Sequence, residues 1–503
     1  MRKIVIFPLC LLLASCSRME LPQEFEQRSD GPSIYPDYTD ITIPYNIAPL
    51  NFHIQEEGER FMAVARSRTG QQLVADGADI CWSIDRWHKL LDGCQGDTLF
   101  MDIYTFVEGK WLRYAPIRNY VAPEPIDTYL SYRLIEPSFA MYEHISINQR
   151  NLTNFDEQVI FNNGRPVEDS RGKCINCHSY QDYNRSGRMQ FHIREYKGGT
   201  LIVDGGKVRK VNMKVGNLLS GGAYPSWHPT QNKIAYSTNA TRQRFHSKDT
   251  QKVEVMDLAS DLVLYDVDQN EIRVISADPT EMETFPSWSP DGGTLYYVSA
   301  HYPDGVDVQD KDSLFAHYQD IRYDIYRRAF DMDSGIFSDP DTVFCASCEG
   351  KSATFPRISP DGRYLLFTLG DYGTFHIWHK SSDLYLMDLR TKVVSPLERA
   401  NSSDVDSYHA WSSNGSWIVF SSRREDGSYT RPYFCYFKDG CASKPFLLPQ
   451  KRTDYYLNVF KSFNIPEFMV KPVDVSRRAW AKAAEAPAVQ AGWKGRKEGA
   501  PQK

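Results

Sequence analysis

Apolar and polar residues alternate in short runs through the second half of the chain, and the runs recur. Four segments align: Tyr224-Pro225-Ser226-Trp227-His228-Pro229, Phe285-Pro286-Ser287-Trp288-Ser289-Pro290-Asp291-Gly292, Phe355-Pro356-Arg357-Ile358-Ser359-Pro360-Asp361-Gly362 and Tyr408-His409-Ala410-Trp411-Ser412-Ser413-Asn414-Gly415. Each leads into a β-rich run, such as Leu295-Tyr296-Tyr297-Val298 or Trp417-Ile418-Val419-Phe420. Asp-Gly or Asn-Gly between two such strands is a tight-hairpin signal. The repeats begin 61, 70 and 53 residues apart, whereas a four-stranded propeller blade takes about 40 to 50 residues, so the excess is loop insertion. Residues Met189 to Val211 supply a further blade, and Tyr455 to Val470 close the ring by completing the first. The pattern therefore predicts a mainly β chain with a five- or six-bladed β-propeller over residues 189–470. An open array would leave sheet edges exposed.

The rest of the chain divides by composition. Residues 17–40 read as a tether rich in Pro, Gly, Asp and Ser. Residues 41–150 read as a separate β-rich unit, with Leu99 to Phe106 and Trp111 to Tyr114 as strands, and are expected to form a small β-sandwich. Residues 151–188 form a polar segment, and the tail 471–503 carries a net charge of +5. Its Ala, Lys and Arg content predicts a frayed helix or disorder.

The N-terminus adds a compartment. Arg2 and Lys3 precede an apolar stretch from Ile4 to Leu13 that ends in Leu13-Ala14-Ser15-Cys16. About ten apolar residues are too few to span a bilayer, so residues 1–16 read as an export signal with a lipobox, and Cys16 as the lipid-bearing first mature residue. The membrane partner is then a lipid anchor. Ser17 in place of Asp leans toward the outer membrane. A net charge of −6 and a pI near 6.1 give no reason to expect nucleic acid.

Export changes the meaning of Cys174-Ile175-Asn176-Cys177-His178, the chain's one Cys-x-x-Cys-His run. Two thiols at this spacing can add across the vinyl groups of one haem, and the following imidazole can bind its iron. Cys174 and Cys177 are the candidate attachment points for haem c and His178 the proximal ligand. Met189 and His192 are the candidate distal ligands, on opposite faces of one strand by alternation. Six further cysteines remain, of which 81/94 and 435/441 are the simplest disulfide guesses. Cys345-Ala346-Ser347-Cys348 is a second Cys-x-x-Cys without a following His, and reads as a redox pair, a disulfide or two unconnected thiols.

Other chemistry is thinly supported. Zinc is disfavoured because His178 directly follows Cys177, though Cys345 and Cys348 would complete a four-thiolate set. There is no Gly-x-Ser-x-Gly elbow and no His-Glu-x-x-His. Asp304, Asp307, Asp310 and Asp312 lack EF-hand spacing and read as a solvated insertion. His376, Trp378, His379, Arg423 and Arg424 fall near strand ends, where they either line a propeller mouth or pack between blades.

The Pro-x-Trp-Ser-Pro-Asp-Gly core at Pro286 to Gly292 resembles the periplasmic TolB repeat, often called PD40 or WD40-like. With Asn46 to Phe52, Cys177-His178-Ser179, Ser421 to Arg424 and Leu448 to Gln450, the chain from Ile41 to Pro466 resembles Bacteroidetes lipoproteins that join a Cys-x-x-Cys-His segment to a TolB-like propeller. These are often labelled cytochrome c biosynthesis proteins. The resemblance implies an extracytoplasmic location and haem binding, but no reaction. Two functions follow as expectations: a membrane-anchored c-type cytochrome passing electrons to a partner docked on the propeller, or a propeller scaffold that binds protein or glycan.

Overall fold

The computed structural model describes residues 21–136, 144–164, 174–195, 197–249, 251–308 and 310–495. The export signal and Cys16 lie outside them. Six antiparallel sheets follow one another in a propeller-like arrangement, and each grows outward from one inner strand. The inner strands are Ser462–Met469, Ile175–Tyr180, Ala223–Trp227, Glu281–Trp288, Ser352–Ile358 and Asp406–Trp411. The last four are the repeats read in the sequence. Their Ser-Pro-Asp-Gly and Ser-Ser-Asn-Gly turns work as expected. In the fifth sheet, for example, the Ser359 hydroxyl donates to Asp361, and the amides of Arg363 and Tyr364 are held by Asp361 and Ser359.

The C-terminal strand Ser462–Met469 pairs antiparallel with Tyr129–Ile135, which continues through Ser146–Asn151 to Glu157–Asn162. The boundary expected at residue 150 therefore falls inside a sheet. Likewise Cys174 to Tyr180 is no separate segment: Ile175–Tyr180 is the inner strand of the sheet that Met189–Ile193 continues. The reason is topological. The inner strand of the first sheet arrives some three hundred residues after its neighbours, so no local pattern announces the sheet.

Before the propeller-like region, a seven-stranded and a three-stranded sheet pack with the helix Ile84–Asp92. Trp87, Leu90 and Leu91 are the buried face of that helix. Part of the expected tether belongs here, since Glu26–Gln27 and Ile34–Tyr35 are strands of these two sheets. Asp127 fixes this unit to the sixth sheet by accepting from the Ser413 amide and hydroxyl at 2.7 and 2.6 Å.

The described part of the tail forms regular elements, contrary to the frayed helix or disorder that its composition predicts. Helix Arg477–Glu485, capped by Ser476, buries Trp480, Ala483 and Ala484 against Phe161 and Phe191. Beyond it, Val489–Gln490 and Gly492–Trp493 add parallel to the outer strands of the second and third sheets. The basic residues lie on the solvent side while one Trp faces the core, a division that net charge does not reveal.

Candidate functional site

Each inner strand carries one residue in the left-handed region. They are Cys177, Tyr224, Phe285, Phe355, Tyr408 and Ile465, with φ between 46° and 56°. Non-glycine residues rarely adopt this conformation, yet all six sheets repeat it at a matched position. At each the strand register shifts, so the residue is a β-bulge. The next residue is Pro at four positions, which suits a bulge because Pro has no N–H to leave unpaired. At the other two it is His178 and His409.

The bulges converge on the axis. Tyr224, Phe285, Phe355 and Tyr408 stack in sequence, with ring centroids 4.0, 4.2 and 4.1 Å apart. Cys177 and Ile465 occupy the two remaining places, and their smaller side chains leave the aromatic arc incomplete. A small axial cavity of about 30 Å³ results, lined by Cys177, His178, Ile465 and the arc residues Tyr224, Phe285 and Phe355. Arg357 and Glu467 line it as well. They also line a wider funnel of about 390 Å³, whose wall includes Tyr180, Tyr183, Trp227, Trp288 and Trp411.

Arg357 and Glu467 stand two residues beyond their bulges, where the other sheets carry Ser179, Ser226, Ser287 and Ala410. They are thus the two ionisable groups at this level of the throat. Each feels the other's charge. Among the described residues neither side chain forms a hydrogen bond or an ion pair, and both are half-buried in the wall of the cavity and the funnel. Burial raises the Glu467 carboxyl to about 7, against the pull of Arg357. Burial also holds the Arg357 guanidinium below its usual range.

The two bulge histidines differ. His409 places Nε2 3.1 Å from the Leu366 carbonyl and Nδ1 3.4 Å from the Thr368 hydroxyl. His178 is 1% exposed, and among the described residues neither ring nitrogen has a hydrogen-bond partner at normal geometry, the Ile465 backbone making only a weak contact. Burial, then the charge of Arg133, pushes its pKa down to about 3, so it is neutral. His409 is also pushed to about 3, by burial and then Arg357. Replacing His409 with Leu strands a buried carbonyl and should cost about 1–3 kcal/mol. His178→Leu should be neutral or stabilising in the unliganded protein, since it removes two unpaired polar atoms; denaturant midpoints of the two variants check the contrast.

The remaining expected haem residues do not gather around His178. Met189 is fully buried among Phe191, Ile193 and Trp480. His192 lies on the other strand face, as alternation predicts, with Nδ1 2.8 Å from the Thr200 hydroxyl and its ring against Tyr236. Cys174 packs against the same apolar cluster as Met189, and the axial cavity that Cys177 and His178 line does not include it. One porphyrin needs both thiols and the imidazole at a single site. The imidazole suits such a group, being buried, neutral and unpaired. Cys174 lies near enough to Cys177 for their charges to interact, but of the two thiols only Cys177 lines the axial cavity.

The cysteine pairings also differ from expectation. Cys345 and Cys348 form a disulfide, while Cys81, Cys94, Cys435 and Cys441 are free thiols. Cys94 and Cys435 are buried whereas Cys81 and Cys441 are exposed, and neither simple pair is formed. The bond removes the thiolates that a four-thiolate zinc site would require. No three His, Cys, Asp or Glu side chains come together to hold a metal among the described residues. Asp310 caps the short helix Lys311–Ala316 inside the acidic insertion. His376 and His379 are buried rather than mouth-lining, and Arg423 stacks on Trp378 with its guanidinium 3.4 Å from the ring centroid.

No family model and no curated protein matches the chain. Among solved structures, the chain is similar to an ACO/RPE65 chimera at 10% identity and a TM-score of 0.40, covering 88% of this chain and 97% of that one. An oligogalacturonate lyase in complex with manganese gives 11% identity and a TM-score of 0.28, covering 84% and 97%. Prolyl oligopeptidase B from Galerina marginata gives 10% and 0.32, covering 64% and 51%. Likeness at this level says nothing about function.

Proposed function

We propose that this chain is an exported, lipid-anchored binding protein, a six-bladed propeller closed by its C-terminal strand, whose ligand is held in the funnel above the axial throat. The observation that carries this reading is the pair Arg357 and Glu467, a guanidinium and a carboxyl set in the throat without partners. Unpaired ionisable groups in a partly buried position cost stability and recur at functional sites. A guanidinium presents a planar fork that matches a carboxylate. Glu467 can accept from a hydroxyl, and the Trp and Tyr rings of the funnel offer flat apolar faces to a sugar ring. The chemistry best matched is an acidic glycan carrying carboxylate and hydroxyl groups on stacked rings.

Covalent haem and electron transfer are left out of this reading, because the cavity that Cys177 and His178 share does not include Cys174 in its lining. A titration calorimetry series tests the proposal with three probes: a uronic-acid oligosaccharide, the matched neutral oligosaccharide and a peptide with a free C-terminus. The acidic oligosaccharide should bind, and Arg357→Met should weaken it about 10- to 100-fold, the worth of a charge-assisted hydrogen bond. Equal binding of the neutral sugar, binding of the peptide alone, or an unaffected Arg357 variant would overturn the assignment.

A further inference from the structure

The second Cys-x-x-Cys run lies far from the axis. The Cys345–Cys348 disulfide sits in the turn between the outer strand Asp341–Phe344 of the fourth sheet and the inner strand Ser352–Ile358 of the fifth. All six other described cysteines are free, so this bond belongs to no stapling framework. It closes a loop of only four residues, and short loops withdraw the least entropy from the unfolded chain. Cys348 is exposed and Cys345 half-buried.

Cys345 lines an open groove of about 640 Å³ together with Val343, Phe344, Met387 and Val394, rimmed by Arg327, Asp341, Glu349 and Lys392. The strand beside it, Asp341–Phe344, is the outer edge of its sheet. On the second and third sheets the same outer edge already accepts an added parallel strand from the tail. An edge of proven type therefore leads into an accessible disulfide.

We propose that Cys345–Cys348 is a thiol–disulfide exchange site, where an extended segment of a partner dithiol protein docks along Asp341–Phe344. The partner's thiolate attacks the groove-lining Cys345 Sγ. The S–S bond breaks, and Cys348 Sγ leaves with the electron pair into solvent and takes up a proton. The partner's second thiolate then attacks the partner sulfur of the mixed disulfide, and Cys345 leaves as a thiolate to be protonated. Two electrons pass: this disulfide is reduced to two thiols and the partner's two thiols are oxidised to a disulfide.

Asp324 is a positioning residue here. It accepts from the Ser347 amide and hydroxyl, both at 2.7 Å, and its Oδ2 lies 3.9 Å from Cys345 Sγ. Its charge opposes both the arriving thiolate and a Cys345 thiolate, and so restrains exchange with stray thiols.

The test uses the full chain in glutathione redox buffers, with alkylation and peptide mass mapping to read the pair, and thioredoxin as the dithiol protein. The pair should titrate reversibly. Asp324→Asn should speed exchange with glutathione about fivefold, the weight of one charge near 4 Å in water. Val343→Asn, which adds no charge beside Cys345, should slow exchange with thioredoxin and leave glutathione exchange unchanged. A pair that stays oxidised in every buffer, an Asp324 variant with unchanged rate, or a Val343 variant that affects neither or both reactions would overturn the proposal.

Discussion

Replacing Trp480 with Ala should cost the protein about 3–5 kcal/mol, the range for emptying a buried aromatic site. The side chain is 3% exposed, with ring centroids 5.3 Å from Phe191 and 6.1 Å from Phe161. Around it lie the strands that carry Cys174 to Tyr180 and their neighbours in the first sheet. Lys210 adds a tie by donating to the Ala484 carbonyl at 2.7 Å. Losing Trp480 should therefore loosen the seam between the first two sheets, lowering the urea midpoint and exposing Met189 and Phe191 to hydrogen exchange. A frayed tail would instead give a change within about 0.5 kcal/mol, as for an ordinary surface substitution.

Glu467→Gln should stabilise the protein above neutral pH. The carboxyl has an ordinary value of 4.5 and is raised to about 7 in the fold by burial. Between those values the folded state holds a proton that the unfolded state has lost, so stability falls as pH rises through that window. Above pH 7 the penalty is fully present and amounts to at most about 3 kcal/mol, reduced by solvent reaching the funnel. The Gln variant escapes it. Urea unfolding at pH 4 should find the two proteins alike, and at pH 8 the variant more stable. A variant less stable at pH 8 would mean that Glu467 is a satisfied structural carboxylate, without the strain expected of a binding residue.

The sequence made some of this legible and hid the rest for identifiable reasons. Hairpin turns at Asp291-Gly292, Asp361-Gly362 and Asn414-Gly415 mark the last three sheets because turn chemistry is local. The closing part played by Tyr455 to Val470 was legible, but the sheet it completes was not, because Ser462–Met469 joins Tyr129–Ile135 across most of the chain. The Cys-x-x-Cys-His run masked a repeat. Cys177-His178-Ser179-Tyr180 matches Tyr224-Pro225-Ser226-Trp227 position for position, 47 residues earlier, and Ser followed by an aromatic residue was the available signal. Arg357 and Glu467 were visible only as departures from Ser or Ala at one repeat position. Their importance depends on the bulge geometry that turns those positions toward the axis. Trp480 was obscured by the basic residues around it.

The central claim is that Cys177 and His178 are one of six axial bulges and belong to the throat below a ligand-binding funnel, not to a haem attachment site. It is tested most directly by making the full chain in a host that matures c-type cytochromes, then recording its intact mass and visible spectrum. The account predicts a protein without covalent haem whose spectrum is unchanged in Cys174→Ala/Cys177→Ala. Haem covalently bound to the parent protein and lost from that double variant would contradict it.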